Sequence, residues 1–406
     1  MPSGDENNIL EDIEKVKKVS PLRIYFSLLK GFVCTGILYM PKNFQIGGWL
    51  WGIACMFLSF LLTQLCAQKL LQARARHPGA SFTDLGRLSM GKPGQFAVDI
   101  FLTVAQVGFL IGQTYFIASN LQSVMHEGFD IYIDIRLYCL FCFVITTPLS
   151  YVRKIEKFAF SYVIADMLIF VTTVVILFFA TYHVTENGWG EGVVAFNTST
   201  WLTMIGSAVY AYEGFGTILP LLDVAERPEL FEKTLFLVLA TVFVFYTSFG
   251  VYCYFIYGQD LVDPLITANL QPQGLLVYSI KVAFSMNLVL TFPLTVYPAN
   301  IIIESYIFGG MNASKTRTML KNLSRTIVSL IGVGVCVLVG KSVNKFISLS
   351  GTMACTPISF LLPTLFHLKL AGPLTMKEKI IDYCIVALSI VILIFCTIFT
   401  LYTWAD

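Results

Sequence analysis

The chain has 406 residues, of which 56% are hydrophobic and 13% charged, with a formal net charge of +2. Soluble domains carry about a quarter charged residues, so this chain has too little polar surface for a water-soluble globule. The net charge itself says little, because where the charges lie matters more than their sum; no nucleic-acid partner is expected. Residues 1–20 form a polar tail, too acidic and too short of apolar residues to be a signal peptide. Eleven apolar segments follow, over 22–43, 48–72, 95–123, 135–152, 157–182, 200–224, 232–257, 275–304, 323–341, 344–368 and 379–403. Each is long enough, or nearly so, to cross a hydrocarbon layer as a helix. The longer connections, 73–94, 183–199, 258–274 and 305–322, leave no room for a second domain. The expected class is therefore an all-α polytopic membrane protein in contact with a lipid bilayer. The ten cysteines fall almost entirely within apolar runs, without metal-ligand spacing, and read as small core residues.

Orientation follows from Lys and Arg. With the N-terminus in the cytoplasm, 21 of the 27 basic residues fall on the cytoplasmic side, and Lys42, Arg136, Lys341 and Lys345 fall opposite. The C-terminus is then lumenal or extracellular. Lys30 and Lys281 lie within spans, and snorkelling is the expectation for Lys281. On this orientation Asn197, in the sequon Asn197-Thr198-Ser199, is the glycosylation candidate.

Span one contains LLKGFVCTGILYMPKNF, residues 28–44, and span six contains TMIGSAVYAYEGFGTILPLLD, residues 203–223. Both have apolar flanks, a Gly-rich centre and a proline soon after. Five spans separate their starts, so the second enters the membrane from the opposite side. That is the signature of a five-plus-five inverted repeat with discontinuous helices 1 and 6 and an appended eleventh helix. The repeats are expected over 21–182 and 199–368, and the last helix over 379–403. Gly lowers the cost of leaving helical geometry, and Pro removes an N–H. Unwound backbone at membrane depth is tolerated only where protein or a polar cavity satisfies it. One half-helix offers N–H groups to an anion and the other offers carbonyls to an ammonium. A zwitterionic amino acid matches two such breaks placed face to face. Gly and Pro also kink ordinary transmembrane helices, but two breaks at matching positions favour a binding site.

Glu213 sits in the break of span six and Asp166 lies inside span five. An intramembrane carboxylate costs on the order of 3 kcal/mol, which makes each a proton-coupling candidate. Each also has a structural reading, as a hydrogen-bond acceptor for unwound backbone or for neighbouring hydroxyls. Gln106, near the middle of span three, is a candidate wall of the cavity or an interhelical bond. Ser285 and Thr291 in span eight either help hold a cation or bond back to their own helix. Tyr115, Tyr212, Phe215 and Phe284 are candidates for setting pocket size. The segment GTMACTP, 351–357, is expected to make span ten locally thin.

These segments, with VAQVGFLIGQTYFIASNL, SYVIADMLIF, FPLTVYPA and FLLPTLFHLKL, resemble the amino acid/auxin permease family of the amino acid–polyamine–organocation superfamily. The closest branches are the vacuolar neutral amino-acid exporters and the proton-coupled amino-acid transporters. The resemblance covers nearly everything after residue 21. It implies a LeuT-like fold of eleven transmembrane helices and symport of small neutral amino acids, usually with protons and without a cofactor. Carried over, Thr35 and Gly36, flanked by Cys34 and Ile37, face the substrate carboxylate. Carbonyls around Tyr212 take the amino group, and Glu213 matches the family's acidic position in span six; Gly214 and Phe215 of the break, with Gln106 and Ser285 from the reading of spans three and eight, complete the candidate site. Cys34 departs from the family's frequent Gly. The outer loops lack the cysteine pair of some plasma-membrane members, and Asp5-Glu6-Asn7-Asn8-Ile9-Leu10 resembles an acidic dileucine signal. Both tilt the expected address toward a vacuole or lysosome. Two rivals stand beside this reading: a sodium-coupled carrier with ligands from Phe32, Val33, Ser285 and Thr291, and an amino-acid sensor with little flux. An enzyme is rejected, because the four histidines (His77, His126, His183, His367) sit at loops or span ends and no paired catalytic arrangement or metal motif is present.

Overall fold

The computed structural model describes residues 18–33, 36–153, 159–270, 274–312 and 314–404. The proposed sorting signal at Asp5–Leu10, and Cys34 and Thr35 of the first break, lie outside the described residues. Among those described there is no strand, only an isolated parallel bridge between Val19 and Ala225.

The first span is two helices, α1 (Pro21–Phe32) and α2 (Gly36–Gly47), bent 51° from one another. Pro21 starts α1 at a position where its missing N–H costs nothing. Span two is α3 (Trp49–Arg76). The connection expected over 73–94 is mostly helical: α4 (Phe82–Phe129) begins there and becomes span three. Ser81 and Asp84 form a reciprocal cap, with the Asp84 N–H donating to Ser81 Oγ (3.1 Å) and the Ser81 N–H to Asp84 Oδ2 (3.0 Å). Gly91, at φ +69°, then turns the helix into the membrane.

Spans four and five are α5 (Ile135–Ser150) and α6 (Ala159–Asn187). Span six is again broken, into α7 (Trp201–Ala211) and α8 (Phe215–Asp223). Then follow α9 (Phe231–Tyr257), α10 (Leu275–Phe308) and α11 (Lys315–Val339). Gly340 (φ +52°) ends α11, and span ten comprises α12 (Val343–Ser350), two π-helical turns over 351–361 and α13 (Leu362–Leu370). Span eleven is α14 (Met376–Val391), a further π turn and α15 (Thr397–Tyr402). Among the described residues, seven helical runs are long and apolar enough to cross a membrane, or eight with the bent first pair. One run, Lys315–Leu370, contains spans nine and ten; α5 and the α7–α8 pair, each too short alone, complete the expected eleven.

Span three packs along span eight as the central scaffold, and α10 also leans on α6. Span seven embraces both halves of span one, while α7 is held by α12 and α3. The approach of α7 to span ten is at backbone distance. A methyl on Gly206 would meet the carbonyl of Ser348, and one on Gly351 the carbonyl of Gly206. Lipid gives helices no hydrophobic reason to associate, so small residues that permit such approach carry much of the packing. Among the described residues eight cysteines are buried and Cys384 is exposed.

Ion pairs tie the helix ends on the side rich in Lys and Arg. Glu304, on α10, takes Arg325 Nε at 2.6 Å and Lys321 Nζ at 2.8 Å, while the Arg325 guanidinium also reaches the Ser150 carbonyl. Asp99 accepts from Tyr306 (2.8 Å) and Thr83 (2.8 Å). Arg74 joins Asp223 at the end of α8, and Val19 donates to the Val224 carbonyl at 2.8 Å. On the opposite side Lys281 does not snorkel. Because α4 runs on to Phe129, it brings Glu127 (2.9 Å) and Ser123 (2.6 Å) to the ammonium, which is fully buried.

Candidate functional site at the two helix breaks

The first half of span one ends on an ordinary α-helical bond, the Val33 N–H donating to the Leu29 carbonyl four residues back at 2.6 Å, before the chain goes extended. Span six closes more tightly. The N–H groups of Tyr212 and Glu213 bond back three residues, to Val209 (3.2 Å) and Tyr210 (3.3 Å). Gly214 is extended, and α8 restarts with Thr217 bonding the Gly214 carbonyl through its N–H (3.0 Å) and its hydroxyl (2.8 Å). Each restart leaves first-turn N–H groups without an intrahelical partner.

The breaks meet. A Cβ on Gly214 would lie 2.7 Å from the ring of Phe32, the last residue of α1. A Cβ on Gly31 would lie 2.7 Å from Thr217 Oγ1, so α1 and α8 also run in close contact. Tyr246, from span seven, donates to the Phe32 carbonyl at 3.4 Å and places its ring beside Gly36. From the other side, Tyr39 on α2 donates to the Gly112 carbonyl of span three (3.2 Å). Aromatic pairs carry the packing outward: Tyr39 with Phe116, Phe116 with Phe284 on span eight, and Phe109 with Tyr210.

The residues expected to form the site fall as follows. Gly36, Ile37, Tyr212, Glu213, Gly214 and Phe215 are buried around the two breaks, and Phe284 joins the aromatic wall. Gln106 is half-buried on span three. Two turns on, Gln113, which the sequence reading did not single out as a site residue, crosses to Thr295 of span eight at 2.9 Å. Ser285 and Thr291 donate to their own helix, to Lys281 (2.7 Å) and Asn287 (3.1 Å), the commoner of the two behaviours weighed for them. Phe32 and Val33 are at the end of α1 and so near the breaks, but the Phe32 carbonyl already accepts from Tyr246. Tyr115 is buried toward Cys139 and Cys336. The backbone of Asp166 belongs to α6, and its side chain lies outside the described residues. Asn197 accepts from the Ser199 N–H at 3.1 Å in the connection before α7.

The polar atoms here differ from those at the helix ends. Glu213 is 5% exposed and its Oε1 has no hydrogen-bond partner. The Tyr212 hydroxyl and both amide atoms of Asn287, on span eight, are likewise buried and unpartnered. A buried acceptor left unmatched costs about 1–3 kcal/mol. Over the site, the segment after α9 folds inward rather than forming a solvated loop. Leu261, Leu265, Ile266, Thr267 and Leu270 are buried, Thr267 donates to Asn120 on span three (2.8 Å), and Lys42 and Gln45 of α2 donate to its carbonyls.

Residues 17–402 match the family described as transmembrane amino acid transporter protein. Vacuolar amino acid transporter 3 of Saccharomyces cerevisiae is 27% identical over 96% of this chain and 57% of its own. The chain thus spans about half the length of that relative. Amino acid transporter AVT3B of Arabidopsis thaliana is 30% identical over 96% of this chain and 95% of its own. Among solved structures, MhsT in complex with L-phenylalanine superposes with a TM-score of 0.60 at 14% identity, over 96% of this chain and 99% of that one. The fold is therefore the LeuT-like one expected, and the family is one of transporters, not of enzymes.

Proposed function

We propose that this chain, which belongs to the transmembrane amino acid transporter family, is a secondary carrier of small neutral amino acids. The observation that carries the reading is the meeting of two helix breaks, Phe32 against Gly214, around a buried carboxyl whose Oε1 has no donor. Broken half-helices offer an amino acid one end for its carboxylate, at Thr35 and Gly36, and one for its ammonium, at the carbonyls near Tyr212. Relatives named as vacuolar or amino acid transporters support this class of cargo.

Transport proceeds by alternating access: the gripping pairs α1–α8 and α2–α7 rock against the scaffold of spans three and eight. Protons drive it. A carboxyl out of water is easier to keep neutral than charged, so Glu213 takes a proton with the substrate and loses it on release, with Asp166 as a second candidate. Sodium stands as the alternative ion, since the Ser285 and Thr291 hydroxyls donate to their own helix and keep their oxygen lone pairs for a cation. The repeats are 21–182 and 199–368, the basic side is cytoplasmic, and the membrane is that of a vacuole or lysosome. Asn197 on the far side is the glycosylation site.

Proteoliposomes holding the purified chain test this with a labelled neutral amino acid under imposed gradients. Accumulation driven by a pH gradient alone supports the proton carrier. A strict requirement for sodium overturns the coupling, and saturable binding without flux overturns transport in favour of a sensor.

A further inference from the structure

Away from the two breaks, three spans meet at a second buried polar cluster. His367, near the end of α13, is 2% exposed and Asp382, on α14, is fully buried. The two carboxylate oxygens of Asp382 face two bases, Lys69 Nζ of α3 at 2.5 Å and His367 Nδ1 at 2.6 Å. On the other side of the ring, His367 Nε2 lies 2.7 Å from Gln72 Oε1, one turn along α3 from Lys69. Gln72 is exposed, so the partner of Nε2, rather than the buried ring itself, stands at the basic-side surface.

The ring therefore stands between two oxygens. With one ring proton, only one nitrogen donates. Nδ1 then serves Asp382, and Gln72 must turn its amide to donate to Nε2. With both, the ring donates to Asp382 and Gln72 at once and carries a charge. The surrounding groups set this choice. Lys69 and Asp382 neutralise one another, so the second ring proton adds a net positive charge to the cluster. Glu378, at the start of α14, is close enough to interact with both His367 and Lys69, and its carboxyl is held below the usual range by the N–H and hydroxyl of Thr375. Cys66 of α3 lies beside the cluster, with Sγ 3.7 Å from Thr364 Oγ1. Span three meets this end of α13 with Phe82, whose ring packs on Phe366.

We propose that His367 is a second proton-binding site, separate from the break region, which takes one proton from water on the basic side onto Nε2. Binding that proton joins spans two, ten and eleven through a doubly donating ring. Losing it turns the Gln72 amide and weakens the join. Histidine is the side chain whose charge changes within the range a cytoplasm and an acidic lumen span. Its position gives the proton a mechanical reach. Beyond α13, span ten continues through two π turns to Gly351, which touches the backbone of α7, the helix that ends at the Tyr212–Gly214 break. Such turns are deformable and recur at working sites in helices. The site then reports the pH of the basic side to the gripping helices without touching substrate.

Nitrogen NMR of histidine-labelled protein in lipid nanodiscs tests the site without relying on transport. The chain has four histidines, so His367→Gln assigns the signal by difference. The expected result is a ring that carries one proton at high pH and two at low pH. In Gln72→Glu, at an exposed position, a carboxylate faces Nε2 and moves that transition to higher pH by about one unit or more. A ring that keeps one tautomer throughout, or a transition unmoved by Gln72→Glu, overturns the proposal. A transport arm varies the pH of the two sides separately in oriented proteoliposomes. Gln72→Glu should shift the dependence on basic-side pH and leave the far-side dependence in place. If no flux is found, the carrier reading of the chain fails while the NMR result still decides this one.

Discussion

Two of the buried polar regions of this protein, the helix ends on the basic side and the breaks, solve the same problem in opposite ways. At the basic-side helix ends, Glu304 meets Arg325 and Lys321, and Asp99 meets two hydroxyls. At the breaks, Glu213 keeps an oxygen without a donor, and the Tyr212 hydroxyl is unmatched. Paired charges fasten helices. Unmatched acceptors and donors in a protein interior are costly to keep, which is a reason to look for what they meet during work. Stability and function should therefore part company between the two regions, and mutations can break that comparison.

The largest loss of stability is expected for Glu304→Leu, which leaves a buried guanidinium without its carboxylate and should cost about 3–5 kcal/mol. Thermal unfolding in lipid nanodiscs measures it. Adding Arg325→Met should recover most of the loss, and no recovery would show that packing rather than charge was at stake. Next comes Gly351→Ala, whose methyl points into the Gly206 carbonyl, a backbone atom that cannot swing away. About 1–3 kcal/mol is expected. Gly214→Ala meets the Phe32 ring first, a side chain rather than backbone, so its melting temperature should fall less while substrate affinity drops roughly tenfold, about 1.4 kcal/mol. Equilibrium binding of a labelled neutral amino acid separates the two effects. Smallest for stability is Glu213→Gln, within about 0.5 kcal/mol of wild type or slightly above it, since it removes a buried ionisable group that nothing pairs.

The breaks were legible in the sequence because they rest on local chemistry: Gly and Pro inside apolar runs, repeated five spans apart. The ionic fastenings were not. Glu304 and Arg325 are 21 residues apart and His367 lies 295 residues from Gln72, so only the packing of spans brings them together. His367 reads in sequence as a residue at a span end, and its burial comes from α14 folding over it. Lys281 was misread for a related reason. The extent of span three past residue 123, which carries Glu127 to it, is weakly marked by apolar content. The start of α4 is a different case, because Ser81 and Asp84 already spell a capping box with Leu85 following, and that signal was available within the connection over 73–94. The inward fold of the segment after α9 had no such mark. Its leucines look like any loop's until the outer ends of α2 and α4 are in place.

The most direct test of the central claim compares wild type with Glu213→Gln in the same proteoliposomes, measuring both accumulation under a pH gradient and exchange of labelled for unlabelled amino acid. The account predicts that Glu213→Gln loses accumulation and keeps exchange, because the substrate site survives and the proton site does not. Accumulation equal to wild type would contradict it, and would remove Glu213 from proton coupling.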